Sequence, residues 1–224
     1  MKTSKKYIRL VVALLAAFVV IYGIYSVYFQ RSRSLSQVEI NELRSQYPVY
    51  SEHPSYMEIK EPQFTDVLKL SDAVILAEIV EELPEYTVEL ISDSSTPEGQ
   101  IYEKGEKYGL SDNTKFVQYK VKVLEPIAYN PEKAIKAGQD IVISYSSEFK
   151  DYMPKFNSGM RIIVPIKEGT GQHDGKYLFT QYGLYYVVQD QYVLSAYPEN
   201  DSISFTGKTV NYTKQQIKQI YSDN

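Results

Sequence analysis

Apolar and polar positions divide this chain into two unlike parts. Leu10 to Phe29 is apolar on every side and holds no charged residue, whereas beyond about residue 60 the apolar positions recur in short runs with a period of two. The first pattern reads as a transmembrane helix. Twenty residues at a rise of about 1.5 Å each span about 30 Å, the thickness of a bilayer's hydrocarbon core. Its dozen Leu, Val, Ile and Phe side chains favour insertion by about 4 to 7 kcal/mol. Tyr22, Tyr25 and Tyr28 gather at its far end, where amphipathic rings prefer the membrane–water interface. A buried soluble helix is disfavoured by the acid-free, all-round apolar surface. A cleaved signal peptide would have a core of about 7–15 residues and a small-x-small site. Ile24-Tyr25-Ser26 instead puts a bulky residue at the -3 position, so an uncleaved anchor is expected.

After the span, Ser36 and Glu39 form a capping-box pattern, with Leu35, Val38, Glu39 and Leu43 at helical spacing. Tyr47-Pro48 ends that helix, because a residue preceding proline is pushed out of the α region. Residues 48–60, with Pro48 and Pro54, read as a stalk, and Phe64, Val67 and Leu68 as a short helix before Ser71-Asp72. Strands are predicted at Ala73–Val80, Phe116–Leu124, Asp140–Tyr145, Met160–Ile166, Tyr177–Thr180, Leu184–Val188 and Tyr192–Ser195. Pro165 makes the fourth an edge strand or one bulged near its end. Asn130-Pro131 opens a helical turn or two closed by Gly138, and Thr213 with Gln216 caps a final helix bearing Ile217, Ile220 and Tyr221. The expected organisation is a tail (1–9), the anchor (10–29), a juxtamembrane helix and stalk (30–60) and one mainly β domain (61–224). Five to seven short strands of this kind suit a small barrel with short flanking helices.

Charge sets the orientation and narrows the partners. Residues 1–33 hold six bases and no acid, which leaves 28 acids against 18 bases in the remainder of the 224-residue chain. Lys2, Lys5, Lys6 and Arg9 precede the span, so the positive-inside rule places the N-terminus in the cytoplasm and the C-terminal domain outside. Arg31 and Arg33 follow the span and weaken that bias. The acidic remainder argues against nucleic acid and anionic lipid as partners, since both are bound by neutralising phosphates. Without cysteine there is no disulfide, thiolate nucleophile or cysteine-bound zinc.

The stretches SDAVILAEIVEEL, YKVKVLEPI, AGQDIVIS, GMRIIVPIK and QYGLYYVVQDQYV resemble a loosely defined group of bacterial membrane-anchored exported proteins. Their OB-like barrel is related in shape to the tissue inhibitors of metalloproteinases. The resemblance covers roughly residues 64–195 and rests on strand-and-turn texture. It implies a five-stranded OB-like barrel and an extracytoplasmic address. Protease inhibition does not carry over, because those inhibitors chelate zinc through an amino-terminal cysteine that this chain lacks.

Little catalytic chemistry is legible. The chain has two histidines, His53 and His173, without a zinc-binding spacing. His173 sits beside Asp174-Gly175, a hairpin-turn signal. It reads as a general base oriented by Asp174 or, more simply, as a solvated turn residue, because adjacent residues rarely form a base–orienter pair. Glu81, Glu82 and Glu85 beside Pro84 read as a solvated loop. Nucleophile-elbow, phosphate-loop and dinucleotide motifs are missing, and neither a metal nor a cofactor is expected. Among 22 tyrosines, Tyr182, Tyr185, Tyr186, Tyr192 and Tyr197 share one hairpin region. They read as a stacking platform or, more simply, as cross-strand aromatic packing. The irregular stretch Ile91–Thr114 joins the first two long strands, a connection that binds ligands in OB barrels, and its Tyr102 and Tyr108 are the first candidates for contact. The expected function is a membrane-tethered extracytoplasmic binding module with a protein or cell-wall glycan partner. A carboxylate-dependent hydrolase and a subunit that acts through its span are the alternatives.

Overall fold

The computed structural model describes residues 34–52, 62–89, 113–133, 135–199 and 204–222, with six further positions between 95 and 104. The expected anchor at 10–29, His53, Tyr102 and Tyr108 lie outside the described residues. Among the described residues no helix is long and apolar enough to cross a membrane.

The domain is mainly β and is built on one long hairpin, β1 (Ala73–Glu89) and β2 (Asn113–Tyr129). Both strands outrun their sequence patterns, and Glu81–Glu85, expected as a loop, belongs to β1. The reason is four register shifts between the strands, which reset the alternation on which a period-two reading depends. Pro84 falls within the last of them, between Leu83 and Tyr86, where a missing N–H breaks no ladder bond. Further along come β3 (Asp140–Ser146), β4 (Arg161–Glu168), β5 (Tyr177–Leu178), β6 (Tyr185–Val188) and β7 (Tyr192–Ser195). β1 pairs with both β2 and β4, and β3 pairs in parallel with β5, so five strands close a ring in the order β1-β2-β3-β5-β4-β1. The β6–β7 hairpin continues the sheet from β4.

Pro165 is accommodated without an edge strand. β4 is flanked by β1 on one side, while its other side meets β6 up to Ile163 and β5 from Lys167. Pro165 occupies the gap between those two pairings. The turn at Asn130-Pro131 is likewise no helix among the described residues: Asn130 Oδ1 accepts from Glu132 N–H, and the chain turns directly into β3 through Gly138 (φ +83°).

Two cores follow from the alternation. Ile75, Ile79, Tyr119, Val121, Ile143 and Ile162 belong to the core inside the ring. Val74, Ile163, Tyr185 and Val193 face the other way, against α2 (Phe64–Leu70) and α3 (Val210–Ser222), and meet Phe64, Leu68 and Ile217. β6 and β7 are therefore buried on both faces, as their continuous apolar runs require. In α3 the cap is Thr209, whose hydroxyl accepts from Tyr212 N–H, while Thr213 lies a turn inside the helix and is fully buried.

α1 (Gln37–Leu43) starts with the expected capping box. Ile40 and Leu35 face the core, whereas Val38 is 67% exposed. Leu35 N–H bonds to Gly207 O, Arg44 to Ser195 O (2.6 Å), and Tyr50 N–H to Ala196 O. Residues 35–50 are thus strapped along β7 and its continuation.

Candidate functional site

The outer half of the β1–β2 hairpin carries Tyr86 opposite Phe116, with rings stacked at 5.3 Å and 26°. Facing them is the β4–β5 connection, whose short 3-10 turn Gly171–His173 brings His173 inward. Gln172 pins this loop to the hairpin by bonding both backbone groups of Glu89: its Nε2 donates to Glu89 O (2.8 Å), and its Oε1 accepts from Glu89 N–H (2.9 Å). Gly169 permits the closure, since a Cβ there would lie 2.5 Å from His173 Cβ and its carbonyl oxygen.

His173 meets Phe116 edge-on at 4.6 Å, and its Nδ1 lies 2.8 Å from Tyr86 Oη. Tyr86 Oη also lies 3.1 Å from Ser144 Oγ. Burial, and then the neighbouring Lys176 ammonium, push the imidazole below its ordinary pKa, while burial raises that of the Tyr86 phenol. Ser144, Tyr86 and His173 thus form one chain of hydrogen bonds whose direction follows the imidazole tautomer. Lys176 Nζ stands 4.4 Å from the centre of the Tyr86 ring, a cation–π contact.

Ser144 projects from the outer face of β3 yet is fully buried. β5 pairs with β3 at two positions only, Tyr177 and Leu178. The chain then leaves the sheet after a bond from Phe179 N–H to Ser144 O and turns through Thr180, whose hydroxyl accepts from Tyr182 N–H. This early departure opens a cavity of about 320 Å³ between the end of β3, the 3-10 helix Ser147–Tyr152 and residues 178–182. Phe116, Phe149, Met153 and Phe179 give it apolar walls, and Ser144 and Gln181 give it polar points. No charged residue is among its lining residues. A second cavity of about 420 Å³ lies across residues 178–182, against α2 and Pro165.

The sequence candidates divide as follows. His173 is a turn residue as expected, half-buried instead of fully solvated, and its bonded partner is Tyr86 in place of Asp174. The tyrosines of the β6–β7 region are interior: Tyr185, Tyr186, Tyr192 and Tyr197 are buried, and the Tyr185 and Tyr197 hydroxyls lie 3.0 Å apart. These four pack the cores, whereas Tyr182 is half-buried and lines both cavities. Glu85 pairs with Lys150. Among the described residues no Asp or Glu is buried, and no group of three or more His, Asp or Glu side chains is placed to hold a metal. Sequence reasoning missed Tyr86, Phe116, Ser144 and Gln181. The available signals were faint: a serine inside an apolar strand, and a tyrosine in a segment read as loop. No protein-family model matches the chain, and no curated protein matches its sequence.

Proposed function

We propose that the protein is a membrane-tethered binding module on the outer face of a bacterial cytoplasmic membrane, with an OB-like barrel as its platform. The cavity beside Ser144 carries the reading, because a concave, mostly apolar site with a few convergent polar groups is the usual form of a binding pocket. The ring order, with β3 parallel to β5, supports the barrel. OB barrels take ligands on the face of strands 2 and 3 and on the loops joining strands 1–2 and 4–5. Phe116, Ser144 and His173 stand on those elements, and Tyr102 and Tyr108 belong to the first of those loops. The uncharged run Leu10–Phe29 supports the tether, with the N-terminus inside. The partner is a protein or a cell-wall glycan. A carboxylate hydrolase has no comparable support, since Asp140 and Glu168, which border an outer groove, are engaged by Lys120 and Lys133.

The test is crosslinking in intact cells of the wild-type chain and of a version with residues 91–114 replaced by a short Gly/Ser linker. A partner caught in near-stoichiometric amount only by the wild type is the expected result. Identical capture by both versions removes the loop from the binding surface, and no capture by either sinks the binding-module reading.

A further inference from the structure

The strap fixes where the chain enters the domain. Leu35 N–H bonds to Gly207 O (2.8 Å), and Ser34 Oγ lies 3.4 Å from Lys208 Nζ. Lys208 O accepts from Val193 N–H near the start of β7, and Gln191 O accepts from Val210 N–H. Ser34 and Lys208 therefore stand at the end of the sheet that holds the β6–β7 turn. β4 begins at the same end, since Arg161 pairs with Val187 and its guanidinium bonds Asp190 of that turn (2.9 Å). From Arg161 to Lys167 the strand covers about 20 Å. At its far end Lys167 and Glu168 meet β5, and the connection there carries Gln172 and His173. Residues 178–182, which line the cavity beside Ser144, start from that far end as well.

Chain length limits how far the entry point can stand from the span. Five peptide steps separate Phe29 from Ser34, and a fully extended chain covers at most about 3.6 Å per step, or about 18 Å in all. The headgroup layer takes up about 5–8 Å of that reach, which leaves at most about 13 Å between its surface and Ser34. The side chains at this end suit such a surface. Val38, four positions after Ser34 in α1, is 67% exposed, and Tyr212, four positions after Lys208 in α3, is 44% exposed. Tyrosine and lysine settle at membrane interfaces by placing an apolar body against the lipid and a polar tip in water. The partner of Lys208 Nζ among the described residues is the neutral Ser34 hydroxyl, so its charge is available to a headgroup phosphate.

We propose that the end of the domain formed by Ser34, Lys208 and the β6–β7 turn rests on the phospholipid headgroups of the membrane that holds the span. The cavity and the His173 connection then face away from the lipid. This rests on the tethered-module reading above and adds the direction from which its partner arrives. The short connection holds the domain down, and the partner engages it from the side opposite the membrane.

The chain has no cysteine, so a spin label attached to a single introduced cysteine reports one position. The labels are placed by Lys208→Cys at the near end and Lys167→Cys at the far end, in the full-length chain reconstituted in phosphatidylcholine nanodiscs that carry a nickel-chelating lipid. Nickel-induced relaxation should be severalfold greater for the label at 208 than for the label at 167. About twenty Gly/Ser residues inserted after Arg33, with a root-mean-square length of about 25 Å, should remove most of that difference. Equal relaxation at the two positions, or greater relaxation at 167, overturns the proposal. An unchanged difference after the insertion overturns the claim that the short connection holds the domain down. A chain that fails to enter the nanodiscs removes the tether and this inference together. Failure of the binding reading looks different: the label contrast stands, but intact cells yield no captured partner.

Discussion

At the scale of single residues, the informative group is His173. Burial holds its folded-state pKa below the unfolded value of about 6.5. The unfolded chain therefore binds the proton more readily, and stability falls as pH drops from about 6.5 through the folded pKa. Protonation makes both ring nitrogens donors, and the Lys176 ammonium opposes the new charge. Wild type should lose more thermal stability than His173→Gln between about pH 7.5 and about pH 5.5, since the carboxylates common to both cancel in the difference. Parallel melting curves across that range would show that the imidazole contributes nothing to the loop's closure. The histidine was visible in the sequence, and its partners were not, because Tyr86 lies 87 positions away and its strand was hidden by bulges.

At the scale of elements, the β6–β7 hairpin and α3 form one unit around the second core. Tyr185 and Val193 present one face of the hairpin to Phe64, Phe205 and Ile217. Ile217 is fully buried at the centre of the helix stripe. Ile217→Ala should lower unfolding free energy by about 2–5 kcal/mol, read as a lower midpoint in urea at unchanged slope. A loss below about 0.5 kcal/mol would mean that α3 rests loosely on the sheet. This helix was legible from its apolar spacing, although its start was set one turn late, because Thr209 and Thr213 are equally suitable caps and burial alone separates them.

At the scale of the whole molecule, the strap formed by residues 35–50 decides how the domain meets what precedes it. Leu35 and Ile40 are buried in the main core, and Gly207 approaches both, so a Cβ there would lie 3.0 Å from Ile40 Cδ1. The segment belongs energetically to the domain, whatever the geometry of the residues before it. Replacing Leu35 and Ile40 together by alanine should destabilise the domain by about 4 kcal/mol or more, measured as denaturant unfolding of the full-length chain. Equal stability of the double variant would return the segment to the role of a plain connector. Helical spacing alone misassigned this face, since Val38 fits the apolar series as well as Ile40 does until the sheet is in place.

Local chemistry determined much of this protein from its sequence. The capping box at Ser36 and Glu39, the alternation in β2 and β3 and the continuous apolar runs of β6 and β7 each depend on neighbours within about ten residues. Pattern and propensity act at that range. The closure of the ring, the two-sided burial of β4, β6 and β7, and the meeting of Tyr86, Ser144 and His173 depend on register between segments tens of residues apart. Register is set by bulges, loop closure and packing of the finished core, and none of these is written in a local pattern. The cavity belongs to that second class. It exists because β5 leaves β3 after two residues, and only the assembled sheet determines where a strand must turn away.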